Sequence, residues 1–529
     1  MIFPRKFLMA AAALLAAAVL FSGCRFGREE NALVYDLDAV PVNLDPQSAA
    51  DAASQLVIQC IFEGLVTADD DGSIHPAAAE DWSVSGDGLT YTFYLREDAK
   101  WANGDPVTAA DFVFGFQRLL NPDTDAPDAE DYFGIENAEE VASGQMEPET
   151  LGVAAPSEKE LVIRLEEADS RFLELLDQPA AMPCHAEFFA ETKGRYGLGA
   201  NLIMGNGAFY LNSWPEDGNL SLRPSQTYHS ASSVTATSLL LVVPKEGRDS
   251  KLQRFTDGTV SAAAFTGKEY LELSGGDYTV LENDSAVWGL VFNTQREPFS
   301  NFSIRRALFL DADFSTMEPE LPEYLERISA AVSPGIVMGQ GESYRKLAGM
   351  PVFPARDLSA AQEARDQALE EVSPDSLRTA RLIVPEGEGH ETYFAYLSQI
   401  WQRDLRVYLT VEVLPQAEYD ARLQSGDFEC AIYRLSGEYN SPGSVLSAME
   451  GGLYGCSDPA YGELLARAGE AEGSEAAALW LQAEQMLFDQ CLFLPLYRQS
   501  EYFLLNTGIS GVTYDFYSRT PDFRFGVVD

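Results

Sequence analysis

The sequence predicts an α/β or α+β protein built of more than one lobe, on three observations. The 529-residue chain is too long for one hydrophobic core, because single cores stop growing near about 250–300 residues. Segments of apolar period two and segments of helical period mingle along the whole length, with no repeat and no low-complexity tract. A hydrophobic fraction of 46% with 11% aromatics is that of a packed globule.

The elements follow in order. Arg5 and Lys6 precede an apolar run from Phe7 to Phe21. A run of about 15 residues is short for a bilayer core of about 30 Å but suits the apolar region of a signal peptide. It ends in Ser22-Gly23-Cys24. This resembles a bacterial lipobox, with Phe21 where that pattern usually has Leu, and implies that Cys24 is lipidated. No later stretch approaches about 20 apolar residues, so the mature chain is expected to be soluble apart from its anchor. After the tether "CRFGREEN", "ALVYDLD" alternates as a strand. A Pro-punctuated loop then leads to a helix with Leu56, Ile58, Cys60, Ile61 and Leu65 on its apolar side. In "LTYTFYL" Tyr91, Phe93 and Leu95 alternate with polar neighbours, which reads as a half-buried strand. Thr108 with Asp111 makes a capping box, Phe112, Phe116 and Leu119 follow at helical spacing, and Asn121-Pro122 stops the helix. "GNGAFYLNSW" and "GNLSLRP" pair as a hairpin, "WGLVFNTQREPF" contains a strand, and "SIRRALFLDAD" starts a helix. "TYFAYLSQIWQRDL" is an amphipathic helix followed by the strand "YLTVEVL". A last helix is expected behind a Ser474 cap, before the strand "LFLPLYRQSEYFLL".

Composition excludes several functions. The chain carries 82 acidic against 36 basic residues, a net charge of −46, which repels nucleic acid. Besides Cys24, the cysteines at 60, 184, 430, 456 and 491 are scattered without a CxxC, so no zinc ribbon or thioredoxin-like site is present; the odd number leaves at least one free thiol, and one disulfide is possible with partners that spacing does not give. The four histidines, His75, His185, His229 and His390, include no pair at metal-ligand spacing, and no directly bound metal is expected. "HETYF" has Phe394 where a zinc protease needs its second histidine. There is no G-x-S-x-G, and Ser343-x-x-Lys346 lacks the downstream K-T-G of penicillin-interacting enzymes. No enzymatic activity and no cofactor are expected.

One stretch poses a sharper question. In "FECAIYRLSGEYNSPGS" the apolar run from Cys430 to Tyr433 reads as a buried strand, followed by Gly437, the carboxylate of Glu438 and a turn at Asn440-Ser441-Pro442. Glu438 is either solvated or held ready for a cation. Arg434 shares its side of the strand, to meet a ligand carboxylate or to neutralise Glu438. Tyr433, Tyr439, Trp214 and Trp288 are read chiefly as core, otherwise as walls of a cleft.

Taken together, "PVNLDPQ", "YTFYLREDAKWANGDPVTAADFVF", "GNGAFYLNSW", "FNTQREPFSNFSIRRAL" and "AEQMLFDQCLFLPLYRQ" resemble the solute-binding lipoproteins of oligopeptide and dipeptide ABC importers, extracellular solute-binding family 5. The resemblance runs over nearly everything after Asn31. It implies a two-lobed periplasmic-binding-protein-like α/β fold, with an extra inserted subdomain and a cleft that closes about a hinge. Its expected divisions are a signal peptide over 1–23, a lipid-anchored tether over 24–31, and a first lobe from 32–62, 184–284 and 505–529. The inserted subdomain would span 63–183 and the second lobe 285–504. Peptide-binding members carry a D-Y-N-x-P motif whose carboxylate grips the peptide ammonium, and here "GEYNSP" places Glu438 there, beside Tyr439 and Asn440. Leu435, Ser436 and Gly437 would pair with the peptide backbone, with Ala50, Asp51 and Ala52 on its other side. Glu replaces the usual Asp, Leu435 stands where a Trp is common, and "PSQTYH" replaces the usual N-P-x-Y-W. The resemblance further implies a monomer outside the cytoplasmic membrane that hands a short peptide to an ABC permease. A non-peptide solute such as a nickel chelate, haem or a sugar is the alternative within the family, and a surface hydrolase the alternative outside it.

Overall fold

The computed structural model describes residues 32–68, 73–169, 172–215, 218–245, 247–338, 341–387 and 389–529. The expected signal peptide, Cys24 and the tether lie outside the described residues. The first half of the chain forms β1 (Ala32–Asp36), α1 (Ala52–Ile61), β2 (Ala79–Val84), β3 (Thr90–Leu95), α2 (Ala109–Leu119), β4 (Val153–Ser157), β5 (Glu160–Arg164), β6 (Phe209–Ser213), β7 (Leu220–Pro224), β8 (Ser238–Val242), β9 (Ala262–Phe265) and β10 (Thr279–Phe292). The second half carries β11 (Leu325–Arg327), β12 (Ala380–Pro385), α3 (His390–Asp404), β13 (Leu409–Leu414), α4 (Gln416–Ser425), β14 (Cys430–Leu435), α5 (Gly473–Asp489) and β15 (Phe493–Leu505). A terminal hairpin of β16 (Thr513–Asp515) and β17 (Thr520–Asp522) follows.

Eleven strands make one sheet in the order β13-β12-β14-β10-β15-β9-β1-β8-β7-β6, with β11 beside β15. Its two central strands are long, 14 residues in β10 and 13 in β15, against a usual length of about 5–6. Their shared antiparallel ladder runs through both lobes. Thr279 to Asn283 pair with Leu505 to Glu501, where β15 also meets β9. Val287 to Phe292 pair with β14 on the opposite edge. The unbroken apolar run from Ala286 to Phe292 suits this position, since it is buried throughout. Between Asn283 and Ala286 the register shifts, so that β10 uses three steps where β15 uses two. That extra residue is a bulge, a local kink, and a second register shift, with the extra residue on β15, falls between Trp288 and Gly289. Asp284 at the bulge pairs with Arg498, and its carbonyl accepts the Ser333 hydroxyl.

A second sheet, β2-β3-β5-β4, is antiparallel throughout. Phe93 on β3 and Phe112 and Phe116 on α2 are fully buried. The Thr108–Asp111 capping box forms as the sequence predicts. Arg118, in the last turn of α2, reaches the loop after β1: its guanidinium lies 2.5 and 3.0 Å from the two oxygens of Asp45 and 2.6 Å from Gln47 Oε1. Phe189 covers the guanidinium at 4.1 Å.

Two boundaries differ from expectation. Leu65 is buried but lies beyond α1, which ends where the Phe62 N–H bonds to Ile58 O. The last long helix begins at Gly473 behind Glu472, so Ser474 is already inside it. The five described cysteines are all buried thiols, and no disulfide forms among the described residues.

Because Arg118 and Asp45 are both buried, removing the cation leaves a carboxylate without its partner. Arg118→Ala is expected to lower stability by about 3 kcal/mol, and a urea midpoint equal to the parent's would rule out the pair as a structural tie.

Candidate functional site

The two lobes face each other across a pair of adjoining chambers, of about 880 and 1010 Å³. Gln59, Gln178, Tyr514, Ser518 and Thr520 border both, so the terminal hairpin stands at the division between them.

The smaller chamber is lined mainly by the first lobe. Gly205 and Gly207 pack against the end of α1, where a Cβ on Gly205 would lie 1.8 Å from Ile61 O. This contact explains the two glycines of "GNGAFY". Between them Asn206 clamps Glu63, accepting from its N–H at 3.0 Å and donating to its carbonyl at 2.9 Å. The Glu63 carboxylate then points at Tyr228, whose hydroxyl donates at 2.6 Å, and at His229 Nε2, 2.9 Å away. Ser230 Oγ lies 2.9 Å from His229 Nδ1. Ser230 borders neither chamber, and nor does Ser343.

Charge is the dominant property of this space. Among the described residues lining it, eight are carboxylates, Glu63, Asp177, Glu438 and Asp522 among them, and one is a cation. That cation, Arg524, is already committed to Asp522 at 2.8 Å. Burial pushes the Asp177 carboxyl up to about 6, against hydrogen bonds from Ala68 and Thr67 that favour its ionised form.

The larger chamber has walls from both lobes. β1, α1 and β9 supply one side, and Pro385, His390, α4 and the end of β14 supply the other. Trp288 on β10 and Gln499 to Tyr502 on β15 lie between them. The Trp288 indole N–H donates to Gln499 Oε1. His390 packs against Trp288 at a tilt of 43° with ring centres 4.0 Å apart and hydrogen-bonds Tyr497 Oη through Nδ1 at 2.6 Å. Burial pulls the His390 imidazole down to about 3, so it is neutral at neutral pH.

The residues singled out from the sequence are divided between these spaces. Glu438 is exposed and, with Tyr439, comes from the second lobe to line the smaller chamber. Its N–H donates to Ser444 Oγ at 2.6 Å. The preceding Gly437 permits this approach, because a Cβ there would lie 2.6 Å from the same oxygen. Asn440 Oδ1 accepts from the Val337 N–H at 2.9 Å. Leu435 is fully buried opposite Val287. Arg434 and Ala52 line the larger chamber. Asp51 is the N-cap of α1, accepting from the Ser54 N–H at 2.8 Å, and Ala50 is exposed just before it. Ala50, Asp51, Leu435, Ser436, Gly437 and Asn440 border neither chamber.

Arg434 has a carboxylate partner that the sequence readings did not name. Its partner is Glu501 on β15 at 2.7 Å, and Ser436 Oγ accepts from it at 2.9 Å. Arg519 at the hairpin tip reaches the same Glu501 at 3.5 Å. Sequence reasoning also passed over Gln59, Glu63, Tyr228, Glu501 and the hairpin, since each comes from a stretch with no local signature. The ladder of β14 with β12 is registered only at Cys430 and Ala431. From Ile432 onward that edge has no strand partner among the described residues.

Comparison with known proteins gives the site its context. The family model for bacterial extracellular solute-binding proteins, family 5, matches residues 73–454. The dipeptide-binding protein DppE of Bacillus subtilis is 27% identical over 497 residues, covering 91% of this chain and 89% of that one. The substrate-binding domain of an oligopeptide ABC transporter from Bacillus anthracis has a TM-score of 0.68 at 25% identity, covering 94% of this chain and 99% of its own. The unliganded open form of the murein tripeptide binding protein MppA shares the fold, with a TM-score of 0.74 at 24% identity and coverage of 94% and 98%.

Asp177 offers a test of the chamber's charge. A carboxyl whose pKa rises on folding costs stability wherever the unfolded chain is ionised, so the cost begins near pH 4 and is complete above about pH 6. Asp177→Asn is therefore expected to be more stable than the parent at pH 8 and to lose that advantage between pH 6 and 4. Urea midpoints at pH 8, 6 and 4 measure this, and no gain at pH 8 would contradict the burial of an ionised group.

Proposed function

Because the chain belongs to family 5 of the bacterial extracellular solute-binding proteins, we propose that it captures short peptides between its lobes and delivers them to an ABC permease. The family binds solutes, and the relatives it matches are binding proteins, not enzymes. In this reading Cys24 carries the lipid that holds a monomer at the outer face of the cytoplasmic membrane. The lobes divide as the resemblance implies, with the inserted subdomain over 63–183.

One observation carries the peptide assignment: Glu438 and Tyr439 reach from the second lobe into a chamber otherwise lined by the first lobe and the terminal hairpin. A carboxylate in that position is suited to a guest bearing an ammonium. An amine withdrawn from water is costly unless an opposite charge receives it, and the charge-assisted bond strengthens as water leaves. Glu438 is exposed here, so the desolvated contact belongs to a form in which the lobes have closed.

The edge of β14 beyond Ala431 has no strand partner among the described residues, and past Ile432, whose carbonyl is taken by Tyr419, it supports an extended guest. Tyr433 and Arg434 on that edge line the larger chamber, and main-chain pairing there gives affinity without reading side chains. The mechanism is a population shift. An open form closes about the β10–β15 bulge when a guest bridges both lobes, and the permease receives the closed form. Bending at the bulge is the cheapest route, because one extra residue already interrupts the ladder there.

Calorimetry with tri-alanine and its N-acetylated form tests the anchor. Loss of a charge-assisted bond of about 1.5–3 kcal/mol corresponds to about 10–100-fold weaker binding. Acetylation, or Glu438→Gln with the unmodified peptide, is expected to weaken binding by that factor. Unchanged affinity in both experiments would remove Glu438 as the anchor.

A further inference from the structure

We propose that the second-lobe wall of the larger chamber is a seat for a cationic side chain, which makes lysine- or arginine-containing peptides the preferred guests. This inference rests on the peptide reading above and specifies the substrate class of the same cleft.

The seat is built from Trp288, Tyr419, Tyr433 and His390, with Glu386 and Asp420 beside them. Trp288 is 8% exposed and Tyr419 is 5% exposed, so both rings are fixed by packing. The Tyr419 hydroxyl donates to Ile432 O at 2.8 Å, and Tyr454 packs against Tyr433 with ring centres 5.2 Å apart. Aromatic rings attract a cation through their negative faces, most strongly where water is scarce.

His390 supplies the independent observation. It is 1% exposed, and its Nε2 has no hydrogen-bond partner among the described residues. A buried polar atom left without a partner costs about 1–3 kcal/mol, so it is a place where a ligand atom is gained cheaply. When Nδ1–H donates to Tyr497 Oη, Nε2 is a bare acceptor that fits an ammonium or guanidinium N–H. Burial keeps the ring neutral, so it does not repel such a guest.

The surrounding charges favour the same sign. Five carboxylates and three cations line this chamber. Arg434 and Arg519 are both engaged by Glu501, and Lys251 lies over the Phe265 ring at 5.4 Å. Glu386 and Asp420 remain at the seat, Asp420 steadied by Gln416 Nε2 at 2.9 Å. The adjoining chamber is more acidic still. A strongly acidic cleft on a chain of net charge −46 concentrates cations and repels anions.

The experiment is calorimetry with tri-alanine and with tripeptides carrying one lysine or one glutamate, scanned over the three positions, against the whole mature protein. At one position at least, lysine is expected to bind about tenfold tighter than alanine, and glutamate weaker. The double substitution Glu386→Gln/Asp420→Asn changes only exposed side chains and is expected to erase most of the lysine preference. The remote control Glu139→Gln/Glu140→Gln is expected to preserve it, which separates the local seat from the general field. Equal affinities for lysine and alanine peptides at all positions would overturn the seat, as would a preference untouched by the double substitution. If tri-alanine binds and lysine gives no advantage, only this inference fails. If no peptide of any charge binds, the peptide reading fails and takes the seat with it.

Discussion

A single antiparallel ladder joins the two lobes. β10 and β15 pair from Thr279–Leu505 to Val291–Phe493, and every other strand of the main sheet reaches its place through them. Backbone groups in such a ladder resist separation, because an unpaired buried N–H or C=O costs about as much as a lost hydrogen bond. On the peptide reading the lobes stay joined through this ladder and rotate about it rather than part from each other. Glu438 follows β14, which is paired to the second-lobe half of β10, while Glu63 follows α1. The two carboxylates are thus carried by elements that meet only through this strand pair and its two register shifts.

A chain with so many carboxylates must also hold together against its own repulsion. It does so with arginine at selected buried points. Arg118 holds Asp45, and Arg345 holds the fully buried Glu484 at 2.6 Å while the Ala331 and Val332 N–H groups complete that carboxylate. Arg356 bridges Asp311, Asp313 and Asp404 at 2.8–2.9 Å. A planar guanidinium can satisfy two or three oxygens at once, which lysine's compact ammonium does less well. With the basic residues so engaged, the acid excess is left at the surface and around the smaller chamber. Charge in the cleft is a feature of where the arginines are placed, not only of composition.

Much of this was legible in the sequence. The period-two run at Tyr91–Leu95, the Thr108–Asp111 box and the long apolar strand at Trp288 each depend on neighbours within a few residues, and each stands where expected. The resemblance supplied the two-lobed fold. What was hidden depends on distance in sequence. Arg434, read as meeting a ligand carboxylate or neutralising Glu438, has a carboxylate partner in Glu501, 67 residues on, that no local pattern announces. Asp51, expected beside the ligand, also caps α1. Glu63 reaches the chamber because Asn206, 143 residues later, holds its backbone. Local periodicity has no means of reporting such pairs across long distances in sequence.

On the peptide reading, charge and closure are the same event. Tyr514 of the terminal hairpin stacks on Phe503 of the long strand β15 at 4.2 Å, and the hairpin carries Asp515 and Asp522 into the smaller chamber. Bending at the bulge brings Glu438 toward those carboxylates and toward Glu63. Like charges approaching in a drying cleft repel increasingly, since the effective dielectric falls as water leaves. The empty protein is thereby biased open without any latch. A guest that places a cation among these groups changes the sign of the same interaction, and its differential affinity for the closed form sets how far the population moves. An anionic or neutral guest of equal size makes the same surface contacts and lacks this term. Selection then occurs at the step of closing rather than the step of entry, and the carboxylates that destabilise the empty closed form are those that make it responsive to its ligand.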